Sequence, residues 1–405
     1  MTRRIALVVA FLLAALVAWV LLRPEQHRAT RRATTVAPSA HPPSSSRSWP
    51  EYGGDPQRSH AAASAPAPPF RVAWKDVGDW SLIEFPPVVE DGRVFVGTNH
   101  GLLLALDAAT GRRLWQRSLG RCIASSPAIV GAVLVVGVMA RPPLCDRDVE
   151  SSVAGFDVAS GRTLWRRTER GPVETSPLVV GHDVVVGSWS GRVESIDART
   201  GSLRWSVATR GPVKAGAALA GTSVVVGSYD GTISALDAND GRVRWRTDVG
   251  APFYATPSVV DGRVIAATTD GVVRAFAAGT GAPLWSRRIG RFVYSPAALA
   301  DGRAFVGSYD HHLYALDVRT GDVLWRSTAP GAVSGAPTVL GGLVYFSSCG
   351  SCSSFESNSK ARRTFAVDAA SGEQAWTFPD GEYSSVVTDG TQVYLTGYTT
   401  LYALR

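Results

Sequence analysis

Lysine is nearly absent from this 405-residue chain: Lys75, Lys214 and Lys360 stand alone in a basic complement that is otherwise arginine. Cysteine is also scarce, with 4 residues. None precedes Cys122, which excludes an N-terminal lipoprotein anchor. No segment after Trp49 has helical periodicity, which excludes helical and alternating α/β folds for the body. The body also lacks a charge of one sign. The formal net charge is +7, but residues 1–49 hold seven arginines against Glu25 alone. That leaves about +1 for residues 50–405, and a near-neutral body has no footprint for nucleic acid or another polyanion.

The basic balance belongs to the N-terminus. Behind Arg3 and Arg4, Ile5 to Leu22 is an uninterrupted apolar run of 18 residues, near the lower limit for a bilayer-spanning helix. Residues 1–23 are therefore expected to be a signal anchor or transmembrane helix. A cleaved signal peptide is the alternative, although no clean A-x-A site is present. The heavier arginine group (Arg23, Arg28, Arg31, Arg32) follows the run. By the positive-inside rule this opposes export of the body, so charge alone leaves the orientation open. Residues 24–48 are Pro, Ser, Thr, Ala and Arg with hardly a bulky apolar group, and read as a disordered tether. The expected folded unit is 49–405.

Within that unit one phrase recurs: LDAATGRRLW (106–115), FDVASGRTLW (156–165), IDARTGSLRW (196–205), LDANDGRVRW (236–245), FAAGTGAPLW (276–285), LDVRTGDVLW (316–325) and VDAASGEQAW (367–376). The indoles Trp74, Trp115, Trp165, Trp205, Trp245, Trp285, Trp325 and Trp376 lie 41, 50, 40, 40, 40, 40 and 51 residues apart. A period near 40 with several short strands per unit is the signature of a β-propeller. In one unit SPLVV, VVVGS, RVESID and SLRWSV read as successive strands. The phrase is the hairpin between the third and fourth. Its Gly (Gly111, Gly161, Gly201, Gly241, Gly281, Gly321, Gly372) supplies positive φ. The Asp before the turn (Asp107, Asp157, Asp197, Asp237, Asp317, Asp368) accepts backbone N–H bonds. These aspartates read as turn staples, since Ala277 replaces one without breaking the period. The Trp on the outermost strand would fill the gap between blades, and arginines beside it (Arg166, Arg167, Arg246, Arg287, Arg288, Arg326) would discourage strand addition. After Trp376 only three strands fit, while RVAWKDV near the start has no partners. Joining them predicts an all-β, eight-bladed propeller closed by its two terminal segments.

Units such as VVVGSYDGTISALDANDGRVRW resemble the repeat of pyrroloquinoline-quinone (PQQ)-like β-propellers. WPEYGGDPQRSH (49–60) is similar to the segment that opens many of them. The resemblance covers residues 49–405 and implies the propeller fold and a place outside the cytoplasm. It divides on function, because the family contains quinoprotein dehydrogenases and non-catalytic envelope scaffolds, including the lipoprotein that assists outer-membrane β-barrel assembly. The dehydrogenases hold Ca²⁺ beside the quinone with carboxylate and amide ligands, use an Asp as base and bridge two adjacent cysteines. Here no two cysteines are adjacent, no D-x-D or similar oxygen-ligand cluster is read as a calcium site, and the blades are nearly bare of the inserted loops that would build a deep pocket.

In a propeller, the loops entering each innermost strand line the mouth of the axial channel. They vary here and place Glu84, Glu174, Lys214, Tyr254, Tyr294 and Tyr383 there. One reading is a pocket in which lysine and glutamate orient an anionic or hydroxylated ligand. The other is a solvated rim with one surface ion pair, which contributes about 0–1 kcal/mol. Two units are long, at MARPPLCDRDVESS and SSCGSCSSFESNSKARR, at the same hairpin position and hence on one face. Pairing about Gly131 brings Cys122 and Cys145 to the same strand end, so a disulfide is expected there. Cys349 and Cys352 form C-G-S-C, readable as a local disulfide, a redox dithiol or part of a four-cysteine zinc site. Paired cysteines favour an oxidising compartment. No catalytic residue and no metal ligand is assigned. The expectation is a membrane-anchored, extracytoplasmic scaffold without a cofactor that binds envelope proteins or cell-surface components. A PQQ- and calcium-dependent or small-ligand-binding oxidoreductase and a ligand sensor are the alternatives.

Overall fold

The structure is a computed structural model that describes residues 48–405 except 78–81, 143–144, 146–150, 353–357 and 385. The expected anchor and tether, through residue 47, lie outside the described residues. Among the described residues no helix is long and apolar enough to cross a membrane.

Short valine-rich strands punctuated by turn glycines assemble into eight separate sheets. Blade 1 comprises Val88–Glu90, Arg93–Gly97, Leu102–Asp107 and Arg113–Ser118, from axis to rim. The innermost strands of blades 2 to 7 are Ala128–Val130, Leu178–Val180, Ala218–Ala220, Ser258–Val260, Ala298–Ala300 and Thr338–Leu340. Blade 8 takes Val386–Thr388, Val393–Thr396 and Leu401–Leu404 from the C-terminal segment and Val72–Asp76 from the N-terminal one. Trp74 stands opposite Ala403 and Lys75 opposite Tyr402, which is the expected closure. Second strands such as Ser223–Gly227 are wholly buried, and each fully buried valine contributes about 1.5–3 kcal/mol. On the outer strand Leu203–Ala208 only Trp205 is buried.

The recurrent phrase does more than turn its own hairpin. Each indole N–H donates to a carbonyl in the next blade's phrase: Trp74 to Ala108 (2.8 Å), Trp165 to Ala198 (2.8 Å), Trp205 to Ala238 (2.9 Å) and so on to Trp325 and Ala369 (3.2 Å). The ring of that indole covers the same phrase's glycine. A Cβ on Gly281 would stand 2.3 Å from the Trp245 ring, at φ +70°. The glycine thus meets two demands, a left-handed turn and contact with the preceding blade's indole. Trp376 has no such phrase ahead of it, and Phe70 meets it edge-on at 5.2 Å instead.

The lead-in beginning at Trp49 threads the axis. Its acceptors reach the second N–H of seven innermost strands: Trp49 O to Val89, Pro50 O to Ile129, Glu51 Oε2 to Val179, Pro56 O to Leu219, Gln57 O to Val259, Ser59 O to Leu299 and His60 O to Val339, at 2.7–3.0 Å. Ala61–Ala62 then pairs in parallel with the innermost strand of blade 7. An innermost strand would otherwise present a bare edge to the channel. Arg58, fully buried, donates to Ala217 O, Pro177 O, Tyr52 O and Glu51 Oε2. Its φ of 59° and the 51° of His60 are left-handed values that few non-glycine residues adopt; the surrounding bonds to the blades hold them there.

Candidate functional site

Six of the eight blades offer one residue to the axis at the same register, four places before the innermost strand. These are Glu84, Glu174, Lys214, Tyr254, Tyr294 and Ser334. The residue just before is apolar and buried in the core (Val173, Val213, Phe253, Val293, Val333). It is seated against a strand glycine of the preceding repeat. A Cβ on Gly187 would lie 2.3 Å from Val213 Cγ1, and one on Gly227 2.5 Å from Phe253 Cβ. With that neighbour pinned between blades, the next side chain turns towards the channel.

All six expected mouth residues, Glu84, Glu174, Lys214, Tyr254, Tyr294 and Tyr383, line one cavity of about 370 Å³. Tyr52 of the lead-in also lines it, where the threaded segment meets the channel. Tyrosine rings form an arc on one side. Centroids are 6.2 Å apart for Tyr229 and Tyr254, 5.0 Å for Tyr254 and Tyr294, and 5.0 Å for Tyr294 and Tyr309. Glu174 accepts from Tyr254 Oη (2.7 Å) and Trp189 Nε1 (2.9 Å). The Lys214 ammonium sits 3.5 Å from the Trp189 ring centroid and 4.9 Å from that of Tyr229. It attracts Glu174 through space, but the carboxylate's direct partners are the indole and the phenol. In place of a direct Glu174–Lys214 ion pair, the structure shows a partly buried network of carboxylate, indole, phenol and ammonium.

Burial raises the Glu174 carboxyl above its ordinary value, against the pull of Tyr254, Lys214 and Trp189. Burial and then the charge of Glu174 lift Glu84 to about 7. Tyr254 is pushed far up by burial and by Glu174, and Tyr383 to about 12 by burial, Glu382 and Glu84. These phenols are neutral donors at physiological pH.

Both long hairpins lie on the pocket side, between second and third strands. The four cysteines form two disulfides, Cys122–Cys145 and Cys349–Cys352, with Cα separations of 5.6 and 5.7 Å. This is the expected first pair and the local-disulfide reading of the second; it replaces the shared zinc site. Cys349, Cys352 and Glu382 bring potential ligand atoms within 4.8 Å of one another. Both sulfurs are bonded to each other, and Glu382 already accepts from Gly350 N, Ser351 N, Ser351 Oγ and Arg362 Nε at 2.6–3.1 Å. The carboxylate acts as a clasp for the loop. The expectation that the chain has no D-x-D triplet is wrong: Asp146-Arg147-Asp148 is one, and it lies outside the described residues.

Sequence reasoning missed Trp189, Tyr229 and Tyr309. Their signal was present: an aromatic at one register of the turn between second and third strands, 40 and then 80 residues apart. It also missed Tyr52, because the lead-in has no strand pattern to place it.

The architecture and the blind axial cavity define a PQQ-like repeat propeller with a candidate ligand pocket. The family model described as outer membrane protein assembly factor BamB matches residues 67–215, 190–291 and 269–405, and the chain belongs to that family. Similar solved structures include BamB from Moraxella catarrhalis, with 18% identity over 83% of this chain and 97% of that one, at a TM-score of 0.66. The quinohemoprotein alcohol dehydrogenase from Comamonas testosteroni is similar at 13% identity, 88% and 80% coverage and a TM-score of 0.73. The computationally designed Ika8 protein is similar at 16% identity, 80% and 96% coverage and a TM-score of 0.66. At these identities the likeness is one of fold. No curated protein matches the chain by sequence.

Proposed function

We propose that this chain is a non-catalytic scaffold of the bacterial cell envelope, anchored through its N-terminal segment and exposed outside the cytoplasm. It captures other envelope macromolecules with the pocket-side face. The observation that carries this reading is the inequality of the two faces. One bears the described parts of two inserted loops, 139–142 with Cys145 and 349–352 with 358–362, each tied by a disulfide. The other ends in tight turns such as Asp91–Gly92 and Asp301–Gly302. Loops held on a rigid frame are where recognition concentrates. Membership of the assembly-factor family supports the same role, and the disulfides suit an oxidising compartment.

The dehydrogenase-like reading requires a quinone carrying three carboxylates. The pocket would meet that group with Glu84, Glu174 and a single lysine whose ammonium rests on Trp189. Neither disulfide joins adjacent cysteines. These residues do not fit the cofactor, and no reaction step is drawn through it.

A photo-crosslinking residue at Arg141 or Lys360, in the anchored protein and intact envelope, should give discrete adducts. The same residue at Asp91 or Asp301 should give none. Equal adducts from both faces, or adducts from the second pair alone, would overturn the assignment of the docking face.

A further inference from the structure

We propose that the axial pocket is a receptor for a cationic group, an ammonium, amidinium or guanidinium, which Glu84 pairs and the tyrosine arc encloses. The inference stands on the pocket itself and does not need the scaffold reading.

Among the described residues, most buried or partly buried carboxylates have their charge answered by the protein. Glu51 has Arg58 and Val179 N, Glu174 has Tyr254 and Trp189, Glu194 has Arg167 and Ser206, and Glu382 has Arg362 and three further donors. Glu84 differs. Its backbone carbonyl accepts from Ser384 Oγ, but its carboxylate has no hydrogen-bond or ion-pair partner among the described residues and opens into the cavity. A largely desolvated carboxylate without a counter-charge is costly unless a ligand supplies one.

The surroundings suit a cation. Phe85 and Tyr52 wall the pocket near Glu84, and Tyr229, Tyr254, Tyr294 and Tyr309 line it as a contiguous arc of aromatic rings, a lining that favours positive charge. The pocket's own cation, Lys214, is occupied with two of its rings. An anion would instead face two carboxylates. The volume, about 370 Å³, accommodates a small molecule or one long side chain.

The groups that share the pocket with Glu84 include Glu174, Lys214, Tyr52, Tyr254 and Tyr383. The three phenols are raised and stay neutral, so below about pH 7 protonation of Glu84 removes the attracting charge. Cation affinity should fall with pH through that value.

The test is calorimetric titration of the full chain in detergent at pH 8 with benzamidine and with benzamide, its uncharged isostere. Benzamidine should bind one to one and at least tenfold more tightly than benzamide. Glu84→Gln should cost at least tenfold in benzamidine affinity. Lys214→Met should tighten benzamidine binding by removing a like charge, whereas an anion site would respond in the opposite sense. A seven-residue peptide with one central arginine distinguishes the sources: binding as tight as benzamidine assigns a polypeptide side chain, and weaker binding a free small cation. Equal affinity for benzamidine and benzamide overturns the proposal, as does unchanged affinity in a folded Glu84→Gln protein. If that variant does not fold, the benzamidine-to-benzamide ratio of the unmodified protein and its pH dependence decide alone. Crosslinks from the insertions would survive failure of this proposal, so the two readings fail separately.

Discussion

The two ends of the propeller axis treat buried charge in opposite ways. At the threaded end, Arg58 and Glu51 pair at 3.0 Å, and Arg58 also donates to three carbonyls from the lead-in and two blades. Little there is left unanswered apart from Trp49 Nε1 and His60 Nε2. At the open end the Glu84 carboxylate has no partner among the described residues, and Glu174 is raised by burial. Satisfied charge marks the part of the molecule that holds it together. Unsatisfied charge marks the part that expects a visitor.

That contrast can be broken most severely at the threaded end. Arg58→Met leaves Glu51 buried beside carbonyls that have lost their donor, and should destabilise the protein by about 3–5 kcal/mol in urea unfolding. A loss below about 1 kcal/mol would show that the threaded segment is ornamental. Trp74→Ala removes the indole bridging the closing blade to Ala108 and should cost about 3 kcal/mol by the same measurement. An unchanged denaturation midpoint would show that the ring is not closed at that seam.

The smallest effect has the opposite sign. Glu84 has a folded pKa of about 7 against an ordinary 4.5. Between those values the folded protein holds a proton that the unfolded chain has released, so its contribution to stability falls as pH rises through about 7. Glu84→Gln removes that loss. The variant should be more stable than the parent at pH 8, by about 1–3 kcal/mol at most, with the difference vanishing towards pH 4.5. Thermal melts at both pH values check it; a destabilised variant at pH 8 would mean that Glu84 has a structural partner after all.

Much of this was legible in the chain because repetition is a strong signal. Eight indoles at near-constant spacing, a glycine at one register and a blade missing its fourth strand specify blade number and closure. The six pocket side chains were legible for the complementary reason, as the variable register of otherwise similar loops. What escaped was hidden by that same repetition. Tyr229 and Tyr309 sit in GSYD segments that look like one more copy of the frame. The lead-in escaped because main-chain carbonyls do most of its work, and carbonyls leave no mark in a sequence. The second demand on the hairpin glycine also escaped, since contact with the preceding blade's indole cannot be read from one unit.

The threaded lead-in constrains the order of assembly. Residues that emerge early from the ribosome are gripped by strands from seven blades made later, and the final blade borrows Val72–Asp76 from the beginning. Such a chain cannot mature from one end to the other. The seventh partner of the lead-in exists only once Thr338–Leu340 has been made, and a product truncated before Leu401–Leu404 lacks the strand that Val72–Asp76 pairs with. The presence of the last blade is thereby checked by the molecule's own geometry.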